Sequence, residues 1–276
     1  MLPVLCKVVL EGSAQMVKVG FCGVGNMAGA ILKSSLLSGV LLPEQITAYN
    51  PTLSKLDCFR GINVADSNLE VFKKSDIVFL GFKPQMLNEI SHELYGNIDG
   101  KCVVSLLAGV SSDKLRSVLG SVSVIRVMPN TPMIVGMGCT AISSSNVTSG
   151  VYDLVCNIFA SAGKIVEVHE DEINKTIPLA GSSPAFFFRF IRAMCDAGVR
   201  SGLSYDKSKA LAVSTMHGVA HLMEESDKTP DELIAQVTSP GGTTLAGLTA
   251  FDDYGFEKMV EEVFDRTINR AEELGK

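Results

Sequence analysis

The chain reads as an α/β domain, a doubly wound and mostly parallel sheet, followed by an all-α domain. Three observations predict this. Apolar strand-like runs alternate with helical stretches from Val17 to about Glu167, the order that builds a parallel sheet with helices on both faces. A glycine-rich turn joins the first strand to the first helix. After Val168 no strand pattern recurs, and the remainder reads as helix. The expected divisions are 1–15, an extension; 16–168, the α/β domain; and 169–276, the helical domain. With 276 residues, 46% hydrophobic and 20% charged, the chain is long enough for two domains with sizeable cores.

Met1–Gln15 fits poorly with the rest of the chain. Its apolar start is interrupted by Lys7 and Glu11, and it has neither a basic leader nor a cleavage site, so it is expected to be a leader, tag or upstream extension rather than a signal peptide. The first strand alternates through Val17, Val19 and Phe21. The chain then turns at Gly23-Val24-Gly25 and enters a helix through Ile31, Leu32, Leu36 and Leu37. The pattern G-x-G-x-x-A between strand and helix is the dinucleotide fingerprint. Gly23 permits the turn, Gly25 lets backbone approach a pyrophosphate, and Ala28 lets helix and strand pack closely. Free N–H groups at the helix start then face the phosphates. A tight turn without a ligand is the alternative.

Further strands are expected at Ile46–Tyr49, Ile77–Phe82, Cys102–Ser105, Val124–Val127 and Thr140–Ser143. Helices are expected at Ser54–Arg60, Leu69–Lys73, Pro84–Leu94, Ser111–Val118 and Val151–Ala160. In such sheets ligands lie beyond the C-terminal ends of the strands. After Tyr49 comes Asn50-Pro51-Thr52-Leu53-Ser54-Lys55, with no carboxylate to bind ribose hydroxyls. An amide, two hydroxyls and a cation suit the 2′-phosphate of NADP; alternatively Asn-Pro is a turn and Thr52 or Ser54 caps a helix. Gly81-Phe82-Lys83-Pro84 follows another strand, with Pro84 suited to a first helical position. Lys83 reads as a loop cation in reach of a cofactor or simply solvated. Leu106, Leu107 and Ala108 place small and apolar groups at the crevice. Asn130 and Thr131, between Pro129 and Pro132, form a rigid polar loop suited to a nicotinamide pocket wall.

The helix Ala185–Arg200 carries Phe186, Phe187, Phe188, Phe190 and Ile191 almost all round, so it is expected to be buried against a second subunit. On the helix Tyr205–Glu225, His217 and His221 are i, i+4, but no carboxylate completes a metalloprotease motif, and a metal is not expected. Thr229-Pro230-Asp231-Glu232 is a capping box. A short helix then ends near Val237, ahead of Ser239-Pro240-Gly241-Gly242-Thr243-Thr244. Thr243 or Thr244 is expected to cap the next helix, whose free N–H donors could receive a carboxylate; an ordinary helix–helix turn is the alternative.

A net charge of −6 argues against nucleic acid or an anionic membrane surface as partner. No apolar run reaches the length of a membrane span. Seven scattered cysteines without C-x-x-C read as small buried residues of a reducing, cytoplasmic setting.

Taken in order, Gly-Val-Gly-Asn-Met-Ala (23–28), Lys-Pro-Gln (83–85), Arg-Val-Met-Pro-Asn-Thr-Pro (126–132), Gly-Ser-Ser-Pro-Ala (181–185) and Ser-Pro-Gly-Gly-Thr-Thr (239–244) resemble the motifs of pyrroline-5-carboxylate reductase, from about Met16 to Leu274. The resemblance implies reduction of the cyclic imine to L-proline with NADPH, NADH being possible. It also implies a Rossmann domain and a helical domain that pairs with its twin, often in a ring of dimers. By the same resemblance Cys22, Gly23, Val24, Gly25, Asn26, Met27, Asn50, Asn68, Gly81, Phe82, Lys83 and Pro84 match cofactor contacts, with Leu106–Ala108 lining the same crevice. Thr243 and Thr244 match the substrate-binding pair, with Glu170 and Gln236 at neighbouring positions; the helix start at Gly242 is expected, from its free donors, to hold the substrate carboxylate. Ser183, where the family has glycine, and Asp227, where glutamate is common, depart from it and bear on substrate fit.

Imine reduction needs hydride at carbon and a proton at nitrogen. No histidine or cysteine lies in these motifs as a strong acid. The hydroxyl of Thr244 is too weak to protonate nitrogen outright but can hold it, the proton arriving with the substrate or through water. Two rivals stand: a hydroxyacid dehydrogenase, disfavoured because Pro184–Arg200 contains no lysine, and a cofactor-sensing module without turnover.

Overall fold

Short β-branched and aromatic runs pair into one eight-stranded sheet. The computed structural model describes residues 16–275, and the extension expected over 1–15 lies outside the described residues. The strands are β1 (Val19–Cys22), β2 (Ile46–Tyr49), β3 (Asn63–Val64), β4 (Ile77–Leu80), β5 (Cys102–Ser105), β6 (Ser123–Met128), β7 (Gly138–Ser145) and β8 (Gly163–Glu167). Their order is β3-β2-β1-β4-β5-β6-β7-β8. Every neighbouring pair is parallel except β6–β7. The reversal follows from the link: a 3-10 turn at Thr131–Val135 is too short for a crossover and returns the chain antiparallel. Strands β3 and β8 were not expected. The first is two exposed residues, and the second is an edge strand, so neither carries a core-forming run.

Helices α1 (Asn26–Leu37), α2 (Asn68–Lys73), α3 (Leu87–Leu94), α4 (Ser112–Leu119) and α5 (Ser149–Ala160) cover the sheet. Phe21, Ile31, Leu32, Phe79, Ile125, Ile158 and Phe159 share one core. Val71, Phe72, Val78, Leu94, Val103, Leu115 and Val124 share the other. Adjacent Val78 and Phe79 fall in different cores because strand side chains alternate between faces. The rings of Phe21 and Phe79 stack at 4.7 Å, and truncating such a ring costs about 3–5 kcal/mol. The helix expected at Ser54–Arg60 is only a 3-10 turn at Leu53–Lys55. Of that stretch Leu56 alone is buried, so little packing would support a longer helix.

The rest is α6 (Ser183–Arg200), α7 (Tyr205–Glu225), α8 (Pro230–Gln236), α9 (Thr243–Asp253) and α10 (Phe256–Gly275). The chain forms two compact units. One runs up to Ser182 and takes back the chain from Thr267; the other is Ser183–Arg266. In the first, Ala271 on α10 joins Met128, Ala141, Ile173 and Ile177 in a small core. In the second, α6 approaches α7 where Gly198 lies against Ser208. Few of its side chains are buried, while Phe187, Phe188, Leu211, Val219 and Leu222 are exposed.

Candidate active site

Strand register assembles the first half of the site. Cys22 is level with Tyr49 and Leu80, and Leu80 with Ser105. The segments 23–27, 50–55, 81–84 and 106–108 therefore leave the same edge of the sheet. Strand order reverses between β1 and β4, so the crevice opens over Gly23 and Gly81. Gly23 has φ +85°, and a Cβ there would stand 2.9 Å from the Phe82 nitrogen. At Gly81 a Cβ would strike the Gly23 carbonyl and stand 2.6 Å from the Ala28 Cβ. The tight turn and the close packing at Ala28 thus require glycine on β4's exit as well, which the fingerprint alone did not reveal.

Gly25 is different: a Cβ there would meet nothing within 4 Å. It is the N-cap of α1, without a side-chain cap and without an acid in the first turn. The first intrahelical bond runs from Gly29 N to Gly25 O, so the N–H groups of Asn26 and Met27 have no partner within the helix. Open space in front of a helix start fits a pyrophosphate. Cys22 and Val24 are buried, so they hold the turn from behind. The Cys22 thiol lies 3.9 Å from the Asn68 carbonyl, and burial pushes its pKa far up, which removes it as a proton source.

Asn50 is buried: its Oδ1 accepts from Val24 N at 2.9 Å and its Nδ2 donates to Thr52 O at 2.9 Å. Thr52, Ser54 and Lys55 are exposed. Thr52 stands at the N-cap position of the 3-10 turn, where the turn reading put it, but its side chain makes no cap bond. Lys83 is exposed ahead of a 3-10 turn that begins at Pro84, as proline's fixed φ suits. Asn68 opens α2 half-buried, behind the Ser67 cap. Phe82, Leu106 and Ala108 are half-buried, whereas Leu107 turns into the core. Asn130 is buried, with Oδ1 accepting from Cys139 N at 2.8 Å, so it fastens its loop to β7. Behind Ala108, the backbone of Gly109 touches Ala271 and Gly275, so the end of α10 buttresses this part of the edge.

Glu170 is held in a clamp. Its carboxylate accepts from Ser112 N and Ser112 Oγ, each at 3.0 Å, and from Arg126 Nη1 at 2.9 Å. Arg126 also donates to Asn174 Oδ1 at 3.0 Å and is buried; burial lowers its pKa and Glu170 opposes that, so it remains charged. Glu170 thus supplies the anion that the start of α4 favours. No sequence signal marks this, because Ser112, Arg126 and Glu170 meet only through the sheet. A cavity of about 900 Å³ beside the clamp is lined by Ser112, Arg116, Ser143, Tyr152, Glu167 and Glu170, among others.

In the helical unit, the expected threonine cap is absent. Gly242 is the N-cap of α9, so Thr243 and Thr244 are its first two helical residues. The extended backbone of Gly242 and the turn bond from its N–H to Ser239 O at 3.0 Å explain this placement. The first intrahelical bond is Ala246 N to Gly242 O. Both threonines are exposed, and neither hydroxyl has a protein partner among the described residues. Two hydroxyls and unpaired N–H donors therefore share one helix start. Gln236 is exposed at the end of α8.

A family model described as pyrroline-5-carboxylate reductase dimerisation matches residues 170–274. Another, described as NADP oxidoreductase coenzyme F420-dependent, matches residues 18–109. The pyrroline-5-carboxylate reductase of Escherichia coli (strain K12) is 36% identical over 94% of this chain and 98% of its own length. That of Arabidopsis thaliana is 35% identical over 97% and 99%. The solved Plasmodium falciparum pyrroline carboxylate reductase with NADP bound superimposes with a TM-score of 0.87 at 29% identity, covering 94% of this chain and 98% of that one. An Aspergillus terreus reductive aminase in complex with NADPH and ethyl levulinate, at 18% identity and a TM-score of 0.58, covering 94% and 93%, shares the fold.

Proposed function

The chain belongs to the pyrroline-5-carboxylate reductase family, and from that premise we propose how its residues reduce 1-pyrroline-5-carboxylate to L-proline with NADPH. The observation that carries the reading is the start of α9. Two free threonine hydroxyls and unpaired backbone donors stand there on a motif that a bare turn would not need. The crevice over Gly23 and Gly81 fits a dinucleotide, which when bound supplies the hydride. Backbone donors at Asn26 and Met27 take the pyrophosphate. Thr52, Ser54 and Lys55 take the 2′-phosphate, with Lys83 as a second cation along the edge. Leu106, Ala108 and the Asn130 loop wall the nicotinamide end, and Asn68 borders the same edge.

On the substrate side, the unpaired N–H groups at Thr243 and Thr244, just past the Gly242 cap, bind the carboxylate. The Thr244 hydroxyl holds the imine nitrogen, which takes its proton from the substrate's own protonated form or from water as hydride reaches the carbon. Gln236 contributes a polar contact. Most of the rate comes from placement rather than acid strength. Glu170 serves by holding α4 and Arg126, not by touching the imine.

The enzyme self-associates through its helical unit as a dimer, and a ring of dimers is the assembly we favour. Among the described residues no helix is long and apolar enough to cross a membrane. The six cysteines there are free thiols, which suits the cytoplasm. The deciding assay is NADPH oxidation with pyrroline-5-carboxylate beside a panel of 3-hydroxy acids with NADP. Turnover of the imine alone is expected. Turnover of a hydroxy acid, or NADPH binding without turnover of the imine, would overturn the reading.

A further inference from the structure

We propose that Asn50 is a positioning residue for the cofactor, acting through the backbone of the glycine turn rather than by touching the ribose or its 2′-phosphate; this rests on the reading of the crevice as the NADPH site. The β1–β2 ladder continues past β1 with a bond from Gly23 N to Tyr49 O at 2.9 Å. At the next rung the acceptor changes from backbone to side chain, and Val24 N donates to Asn50 Oδ1, also at 2.9 Å. Beyond Asn50 the chain leaves the sheet through Pro51, so only a side chain can reach back to complete this rung. The same amide donates from Nδ2 to the Thr52 carbonyl at 2.9 Å. The orientation of the amide is determined by its partners: Val24 offers a donor and Thr52 an acceptor, so the reverse orientation would satisfy neither.

Asn50 is 6% exposed, and Val24 is 2% exposed. An unmade bond here would leave buried backbone groups unpaired, which is costly. The strut therefore sets two things at once. It holds Val24, and with it the helix start whose N–H groups meet the pyrophosphate. It also holds the Thr52 carbonyl, and with it the loop that carries Thr52, Ser54 and Lys55. Asparagine is the residue type that can do both, having one acceptor and one donor on the same short side chain. Aspartate keeps the acceptor for Val24 but sets a second oxygen against the Thr52 carbonyl.

The two possible roles differ in what they do to NADH. The pyrophosphate is common to both coenzymes, and the 2′-phosphate belongs to NADPH alone. Removing a strut weakens both coenzymes by the same factor; removing a 2′-phosphate ligand weakens only NADPH. The experiment measures Kd and KM for NADPH and NADH in full-length wild type, Asn50→Ala and Asn50→Asp, with melting temperature and saturated kcat recorded for each. In Asn50→Ala both constants should rise together by about tenfold, with the NADPH-to-NADH ratio and saturated kcat little changed. Asn50→Asp should weaken both coenzymes, NADPH more than NADH because the new carboxylate also faces the 2′-phosphate loop. A selective loss of NADPH, with NADH unchanged, would overturn the strut, as would a fall in melting temperature without any change in coenzyme affinity.

If Asn50→Ala fails to fold, Asn50→Asp and amide exchange at Val24 in cofactor-free wild type give the result. The strut requires Val24 to be strongly protected while Asn26 and Met27 exchange freely; equal, fast exchange at all three would refute it. Failure of wild type to bind either coenzyme would instead remove the crevice reading, so the two failures are told apart.

Discussion

Thr244 carries a hydroxyl that α9 does not use. Gly242 occupies the N-cap, so Thr244→Ala removes no capping bond and should shift the melting temperature little. If the hydroxyl holds the imine nitrogen, the same change should lower kcat/KM by tenfold or more, roughly 1.4 kcal/mol or above at the transition state. Thr244→Ser should keep most activity. A silent kinetic outcome, or a lower melting temperature with intact kinetics, would return the motif to an ordinary turn. Thr243 and Thr244 were legible as a pair because Pro-Gly-Gly announces the break before them. That Gly242 rather than a threonine takes the cap was not legible, since threonine is an acceptable cap and only the backbone angles decide. For Asn50 the residue type was legible at the end of β2, while its two bonds exist only once β1 and β2 are in register.

Between elements, the clamp joins Glu170 to α4 and Arg126, and we propose that Glu170 acts as a support rather than a substrate ligand. Glu170→Gln keeps the shape but leaves the buried Arg126 charge without its counterion. Losing the partner of a buried charge costs about 3–5 kcal/mol, and because the Glu170 side chain is 42% exposed, solvent screening reduces the expected loss to about 1–2 kcal/mol. Urea unfolding should show that loss while KM for the imine stays constant. A raised KM with unchanged stability would restore Glu170 to the substrate. The clamp was illegible because its residues come from three separate segments. Strands β1, β2, β4, β5, β6 and β7 were legible from their apolar runs, whereas β8 was hidden by its half-exposed edge position and Ser54–Arg60 overstated a single 3-10 turn.

For the molecule as a whole, the exposed face of α6 and α7 is the dominant fact. Phe188 is 66% exposed and Leu211 61% exposed in the single chain. Apolar surface of that extent marks an interface, and the matched family model is one of dimerisation. Sedimentation should find dimers or larger assemblies, and Phe188→Glu should weaken them. A stable, active monomer at nanomolar concentration would refute the obligate dimer.

Local chemistry was written in the sequence: the glycine turn and its helix start, the alternation that makes a doubly wound sheet, the apolar helix at 185–200, and the Thr-Thr pair. These depend on spacing along the chain and on residue type, which is why they could be read directly. Tertiary structure decided which polar side chains remain available. Asn50, Asn130 and Glu170 are spent on Val24, Cys139, Ser112 and Arg126, whereas Thr52, Lys83, Thr243 and Thr244 stay exposed. The reason is physical. A buried polar group must find a partner, and that partner is brought by strand register and packing between segments far apart in the chain.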